Sequence, residues 1–233
     1  MTNQITATYI DHMGSDLSVV NAARVSFGKS SQLVFTEDPD DYGSLSERDT
    51  KLINYLAKHK HISPFGHAFA SFHVKAPIFV ARQLVKHKFL RWNEISRRYV
   101  DDEPEFYMPD VWRGRSADKK QGSSDTTVGF LRMQGFGEQS VNDGTFKHQM
   151  HSLDLYRDMI TAGVAPEQAR MILPQSTMTE WYWSGSLDAF AAMCRLRLPS
   201  DTQQETRVVA QQISKVLGTL FPVSWSALMV CRS

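Results

Sequence analysis

Six of the chain's 26 lysines and arginines fall within the eighteen residues from Arg82 to Tyr99, RQLVKHKFLRWNEISRRY, against one acid, Glu94. In a chain of net charge +1, so uneven a distribution marks a local anion site rather than a general property of the surface. The same run holds His87, Asn93, Ser96 and aromatic side chains. Groups able to hydrogen-bond a heterocycle therefore sit beside charge able to hold phosphate. Lys86, His87 and Lys88 can present three nitrogen donors to phosphate or pyrophosphate oxygens. Spacing alone equally allows a basic helix C-cap, and for the whole run a solvated helix face.

Two further arginines carry the same pair of readings. Arg170 lies in PEQARMIL and Arg197 in RLRLP, close to Asp201. Each is either a solvated or ion-paired surface arginine or a fork matched to two oxygens of a ligand. Trp181, Tyr182 and Trp183 read as core or subunit interface in preference to a ring-binding patch. His61 and His67 flank SPFG six residues apart, which is not the i, i+4 pairing of a helical zinc site, and no Cys or carboxylate nearby completes a ligand set. No metal site is expected. Cys194 and Cys231 form no CxxC and lie in apolar surroundings, so both are expected to be buried free thiols. Neither GxGxxG after a strand nor GxxxxGK[ST] occurs, and no GxSxG elbow supports a hydrolase.

The elements that must position these residues follow from periodicity and capping. Helices are predicted over about 16–26, behind Gly14-Ser15-Asp16, and over about 46–60, opened by Ser46 with Asp49 at the reciprocal capping position. HAFASFHVKA alternates like a half-buried strand, and Pro77 starts a helix, IFVARQLVKH, that delivers Lys86-His87-Lys88 to a loop carrying Asn93, Glu94 and Ser96. From Val111 to about Asn142 the chain is rich in Gly, Ser and Asp and reads as a surface insert. Helical spacing returns at Phe146–Ile160 and ends at Gly163, with further helices at about 186–198 and 202–220.

A length of 233 residues suits a single domain that buries its core without disulfides or structural metal. A hydrophobic fraction of 42% and charged fraction of 22% are those of an ordinary globular protein. The near-neutral balance gives no general attraction to nucleic acid or to anionic membranes. The first residues lack a signal-peptide pattern and no window reaches 18 apolar residues, so a cytoplasmic protein is expected.

With these residues in view, the chain resembles the flavin-dependent thymidylate synthases, which make dTMP from dUMP without a cysteine nucleophile. Their signature, Arg-His-Arg followed by seven residues and a serine, has its counterpart in Lys86-His87-Lys88, FLRWNEI and Ser96. Flanking blocks match as well: GSDLSVVNAARVSFG, KHKHISPFGHAFASFHVKAPIFVARQ, ARMILPQSTMTEWYW and LRLPSDTQQET.

The resemblance implies an α/β (α+β) fold with a mixed or antiparallel central sheet flanked by helices. It implies FAD against His61, Ser63, Lys86, His87, Lys88, Glu94, Ser186 and Asp188. It places dUMP against Gln83, Lys86, Glu94, Ser96, Arg97, Arg98, Arg170 and Arg197, with Arg197 the catalytic group that stabilises negative charge on the pyrimidine. NADPH and 5,10-methylenetetrahydrofolate are the implied co-substrates, and a homotetramer with shared active sites the implied assembly. The chain departs from the family pattern at both signature arginines, which are lysines, at Ser186, where many members carry asparagine, at Ala192, where they carry another amide, and in the 111–142 insert. The alternative readings are a hydroxymethylated deoxypyrimidine nucleotide as product, or a non-catalytic protein that binds nucleotides or nucleic acid.

Overall fold

A computed structural model describes residues 4–230 apart from 39, 41, 100–101, 118–121 and 134–136. The chain opens with strand β1 (Thr6–Met13), helices α1 (Asp16–Arg24) and α2 (Glu47–Lys58), strand β2 (Phe69–Pro77) and helix α3 (Ile78–Leu84). Strands β3 (Arg91–Glu94), β4 (Arg113–Arg115), β5 (Ser123–Thr127), β6 (Phe130–Met133) and β7 (Gly137–Ser140) follow. Helices α4 (Val141–Thr161) and α5 (Pro166–Ala169) precede strand β8 (Met178–Ser186), and helices α6 (Leu187–Arg197), α7 (Gln204–Leu220) and α8 (Pro222–Val230) close the described chain.

One four-stranded sheet, in the order β1-β2-β8-β3 with every pairing antiparallel, carries the fold. Its faces are set by alternation. Along β2, Ala70, Phe72, Val74 and Ala76 point inward and are buried, while Ser71, His73 and Lys75 stay half-exposed. Along β8, Thr179, Trp181, Trp183 and Gly185 do the same against Glu180, Tyr182 and Ser184. Phe72 lies opposite Trp183 and Val74 opposite Trp181, and Phe190 of α6 packs edge-on against Phe72 and Trp183. Trp181 and Trp183 are thus core, as expected; Tyr182, between them, is half-exposed on the outer face.

The helices on the inner face are tied to the sheet by polar side chains at its weak points. Gln212 of α7 accepts from the Ala7 amide at 2.7 Å and donates to the Ile5 carbonyl at 2.9 Å, which satisfies backbone groups beside edge strand β1. Asp16, 7% exposed, accepts from the backbone amides of Val223 and Ser224 at 2.9 Å each. A residue in the first turn of α1 thereby supplies the N-terminal cap of α8.

The helix predicted over 46–60 spans Glu47–Lys58, with Ser46 accepting from the Asp49 amide at 3.1 Å as expected of a cap. Three local assignments change. α3 stops at Leu84, so Lys86-His87-Lys88 occupy a turn after the helix. Asn93 and Glu94 belong to β3, an edge strand that a four-residue polar stretch could not announce. The 111–142 segment contains two antiparallel ribbons, β4–β5 and β6–β7, whose alternation is too short to register as periodicity.

Replacing Asp16 with Ala leaves two amides of the α8 N-terminus without partners and is expected to cost about 3 kcal/mol in urea denaturation, with Asp16→Asn costing less. A loss below about 0.5 kcal/mol for Asp16→Ala, the range of an indifferent surface change, contradicts this account of the cap.

Candidate functional site

The turn after α3 is held by backbone bonds from the His87 amide to the Leu84 carbonyl at 3.1 Å and from the Leu90 amide to the His87 carbonyl at 3.2 Å. Leu90 is buried, and the turn lies so close to β8 that a Cβ on Gly185 would come within 2.5 Å of Leu90 Cδ2 and 3.3 Å of the Phe89 carbonyl oxygen. Only glycine fits there without displacing the turn. This seating directs Lys86 and Lys88 to solvent and leaves His87 half-buried, its ring centroid 6.4 Å from that of Trp183.

Arg197, at the C-terminal end of α6, meets this turn. Its Nε donates to His87 Nε2 at 3.2 Å and its Nη2 to the Gln83 carbonyl at 3.4 Å. An imidazole nitrogen that accepts from a guanidinium must be unprotonated, which puts the ring proton on Nδ1. Burial first, and the Arg197 charge second, lower the His87 pKa from 6.5 to about 4, so the ring is neutral at pH 7.

Gln83 is fixed from its other side. Its Nε2 donates to Gln203 Oε1, and its Oε1 accepts from Thr206 Oγ1 at 3.1 Å. Gln83, Lys86 and Arg197 line a cavity of about 700 Å³ together with Arg113, Thr202 and Gln203. Amide, ammonium and guanidinium donors thus converge on one space, a donor set suited to oxygens of an anionic or carbonyl-bearing ligand.

The remaining predicted residues form other groups. Glu94 is held by Thr179 Oγ1 at 2.7 Å and Trp92 Nε1 at 3.0 Å, while Trp92 stacks on Trp181 at 4.2 Å. Ser96 Oγ accepts from the Arg98 amide and Nε at 3.3 Å each, and Arg97 Nη1 donates to the Asp102 carbonyl at 2.6 Å. These four residues cluster along β3 and the turn after it.

His61 stacks with Tyr55 at 6.2 Å, and Ser63 opens a short 3-10 helix, Ser63–His67, that packs against α6. Ser186 is the N-cap residue of α6 without a side-chain cap bond, and Asp188 in the first turn keeps a buried Oδ1 with no partner. Arg170 is exposed, donates to the Glu167 carbonyl at 3.2 Å, and does not line the Arg197 cavity.

Sequence reasoning missed Gln203, Thr206 and Arg113. The first two lie in the TQQET block, but nothing in their types or spacing says that they grip Gln83 across about 120 residues. Among the described residues no group of three or more His, Cys, Asp or Glu is placed to hold a metal. Cys194 is fully buried, and burial pushes its thiol up; Cys231 lies outside the described residues.

Residues 8–223 match the family described as thymidylate synthase complementing protein. A flavin-dependent thymidylate synthase of Thermus thermophilus is 36% identical over 218 residues, covering 94% of this chain and 73% of that one. The enzyme of the same name from Thermosipho melanesiensis is 35% identical, covering 94% and 88%. In three dimensions the chain is similar to the UMP/dUMP methylase PolB from Streptomyces cacaoi bound with 5-Br dUMP. The TM-score is 0.77 at 30% identity, over 97% of this chain and 95% of that one.

The depressed His87 pKa gives stability a pH dependence of known sign. As pH falls from 6.5 toward about 4, the unfolded chain takes up a proton at this residue that the folded chain refuses. Its contribution to stability is therefore intact above 6.5 and is lost through that window. In thermal melts from pH 7 to pH 4, His87→Gln is expected to lose less stability on acidification than the parent chain. Equal slopes for the two proteins contradict a neutral His87.

Proposed function

We propose, from the premise that this chain belongs to the thymidylate synthase complementing protein family, that it is a flavin-dependent thymidylate synthase converting dUMP to dTMP. The observation that carries the reading is the contact between Arg197 and His87 of the signature turn, with Gln83 and Lys86 lining the same cavity. The names of the relatives favour neither a hydroxymethylated product nor a non-catalytic nucleic-acid binder.

Arg197 is assigned to the uracil ring, where its free N–H groups face developing negative charge on N3 and O2. A donor already oriented by His87 and the Gln83 carbonyl needs no reorganisation when that charge appears. The neutral imidazole matters here, because a protonated ring could not accept from the guanidinium and would repel it. Gln83 and Ser96 are assigned to sugar and phosphate contacts, Glu94 to an N–H or O–H of the ligands, and Lys86, Arg97, Arg98 and Arg170 to the phosphate charge.

His61, Ser63, Lys86, His87, Lys88, Glu94, Ser186 and Asp188 are the residues that would hold FAD. Two features fit such a group: the two exposed lysines of the signature turn suit a pyrophosphate, and the buried, unpartnered Asp188 Oδ1 lacks a donor that a ligand N–H or O–H supplies. Flavin held there would supply the hydride delivered to the activated uracil. Lysines in place of the signature arginines keep the charge and give up the bidentate fork, so weaker or rearranged anion contacts are expected there.

NADPH as reductant of the flavin and 5,10-methylenetetrahydrofolate as carbon donor complete the reaction we propose. A homotetramer is part of the same proposal. Arg170 stands outside its own chain's cavity, which is consistent with delivery of this arginine to the site of a neighbouring copy. Residues 1–233 are taken as one catalytic domain with 111–142 as an inserted surface segment. A cytoplasmic location is proposed with it, and no helix among the described residues is long and apolar enough to cross a membrane.

Purified protein is expected to show a flavin absorption spectrum and to form dTMP only when dUMP, NADPH and methylenetetrahydrofolate are all present. Since a solved relative is named for UMP as well as dUMP, both nucleotides belong in the assay. Arg197→Ala is expected to lower kcat about 10²- to 10³-fold with flavin still bound, in line with loss of a charge-stabilising donor. Parental turnover by Arg197→Ala removes this residue from the mechanism.

A further inference from the structure

Arg113 is a third cation in the cavity that holds Lys86 and Arg197, and Asp201 is the acid among the described residues that line it. It comes from ribbon β4–β5, a part of the chain to which the signature motif assigns nothing. Its Nε donates to Ser123 Oγ at 2.9 Å and its Nη2 to Glu205 Oε1 at 2.6 Å. These contacts use two of the five N–H groups of a guanidinium and fix its plane, leaving three donors for another partner. The Arg113 side chain is 25% exposed, so those donors are within reach of the cavity.

Glu205 anchors Arg113 from a buried position. Its side chain is 6% exposed, and its carboxylate meets the Tyr107 hydroxyl as well as Arg113. Glu205 and Arg113 both line two neighbouring cavities as well. A buried carboxylate paired in this way holds the guanidinium in place. Arg113 thus presents three N–H donors to the adjoining space, the complement of a ligand that carries an oxyanion.

The ribbon is also fitted to this place. Gly122, at φ +91°, lies where a Cβ would come within 3.0 Å of the Asp201 carbonyl oxygen, so the backbone of the ribbon rests on the turn after α6. A ribbon merely covering the surface needs neither a left-handed glycine at the contact nor a guanidinium turned into the cavity.

We propose that Arg113 is a ligand-binding residue of this enzyme, held by Glu205 and Ser123 so that its free N–H groups receive an oxyanion of a substrate. This rests on the thymidylate synthase reading of the same cavity. Two substrates supply such an oxyanion: the phosphate of dUMP and the glutamate carboxylates of the folate.

The test measures the Kd of dUMP and of tetrahydrofolate by calorimetry on the flavin-loaded protein, for the parent, Arg113→Gln and Arg113→Lys, with a thermal melt of each. Arg113→Gln is expected to weaken one of the two ligands about tenfold to a hundredfold and leave the other within about twofold. Arg113→Lys is expected to recover part of the loss. A change confined to dUMP identifies the phosphate as the partner, and one confined to tetrahydrofolate identifies the carboxylates. If Arg113→Gln is too unstable to measure, Arg113→Lys keeps a charge opposite Glu205 and should weaken the same single ligand by a smaller factor. Unchanged affinities for both ligands, or an equal loss of both with a lowered melting temperature, overturn the proposal and leave Arg113 a structural tie. Failure of the parent protein to bind either ligand tells against the thymidylate synthase reading itself.

Discussion

The site depends on a guanidinium being able to rest against an imidazole. Arg197 and His87 come from elements 110 residues apart, and their contact joins the end of α6 to the signature turn. It is attractive only while the imidazole is neutral, and burial against the sheet, ahead of the Arg197 charge, keeps it so. The core therefore acts directly on this contact. The packing that buries Trp183 and Leu90 also lowers the pKa that lets a cation stay in place.

From that contact the rest of the architecture follows as support. Gln83 offers its carbonyl to Arg197 while Gln203 and Thr206 hold its side-chain amide, so three helices, α3, α6 and α7, meet at one cavity. Helix α7 is itself pinned to β1 through Gln212, and α8 to α1 through Asp16. The sheet gives this assembly a fixed floor: β2 and β8 are paired over nine residues, and Gly185 allows the signature turn to lie directly on β8. Rigid elements of this kind hold a binding group to a small fraction of an ångström more readily than loops do.

Much of this was legible in the chain itself, and for a reason. The basic run announces itself by charge density, and helices such as α2 by capping and periodicity, because these signals are local. β2 was readable from alternation alone. β8, with Trp-Tyr-Trp at its centre, was read as core without being read as a strand, and β1 and β3 were invisible, since an edge strand needs little hydrophobic pattern once a neighbour fixes its register. The partners of Gln83 and the placement of Arg113 are products of tertiary contact, beyond the reach of spacing. Arg170 does not line the Arg197 cavity of its own chain, a separation that also arises only in the folded chain.

The central claim is that Arg197, steadied by a neutral His87, faces the base of a bound uridine nucleotide while the signature turn faces a flavin. A crystal structure of the protein with FAD and dUMP tests it most directly. The account predicts a guanidinium nitrogen of Arg197 about 3 Å from a uracil oxygen, with the His87 contact preserved and Lys86, His87 and Lys88 against the flavin. Nucleotide bound elsewhere, with Arg197 turned to solvent or paired only with protein, contradicts it.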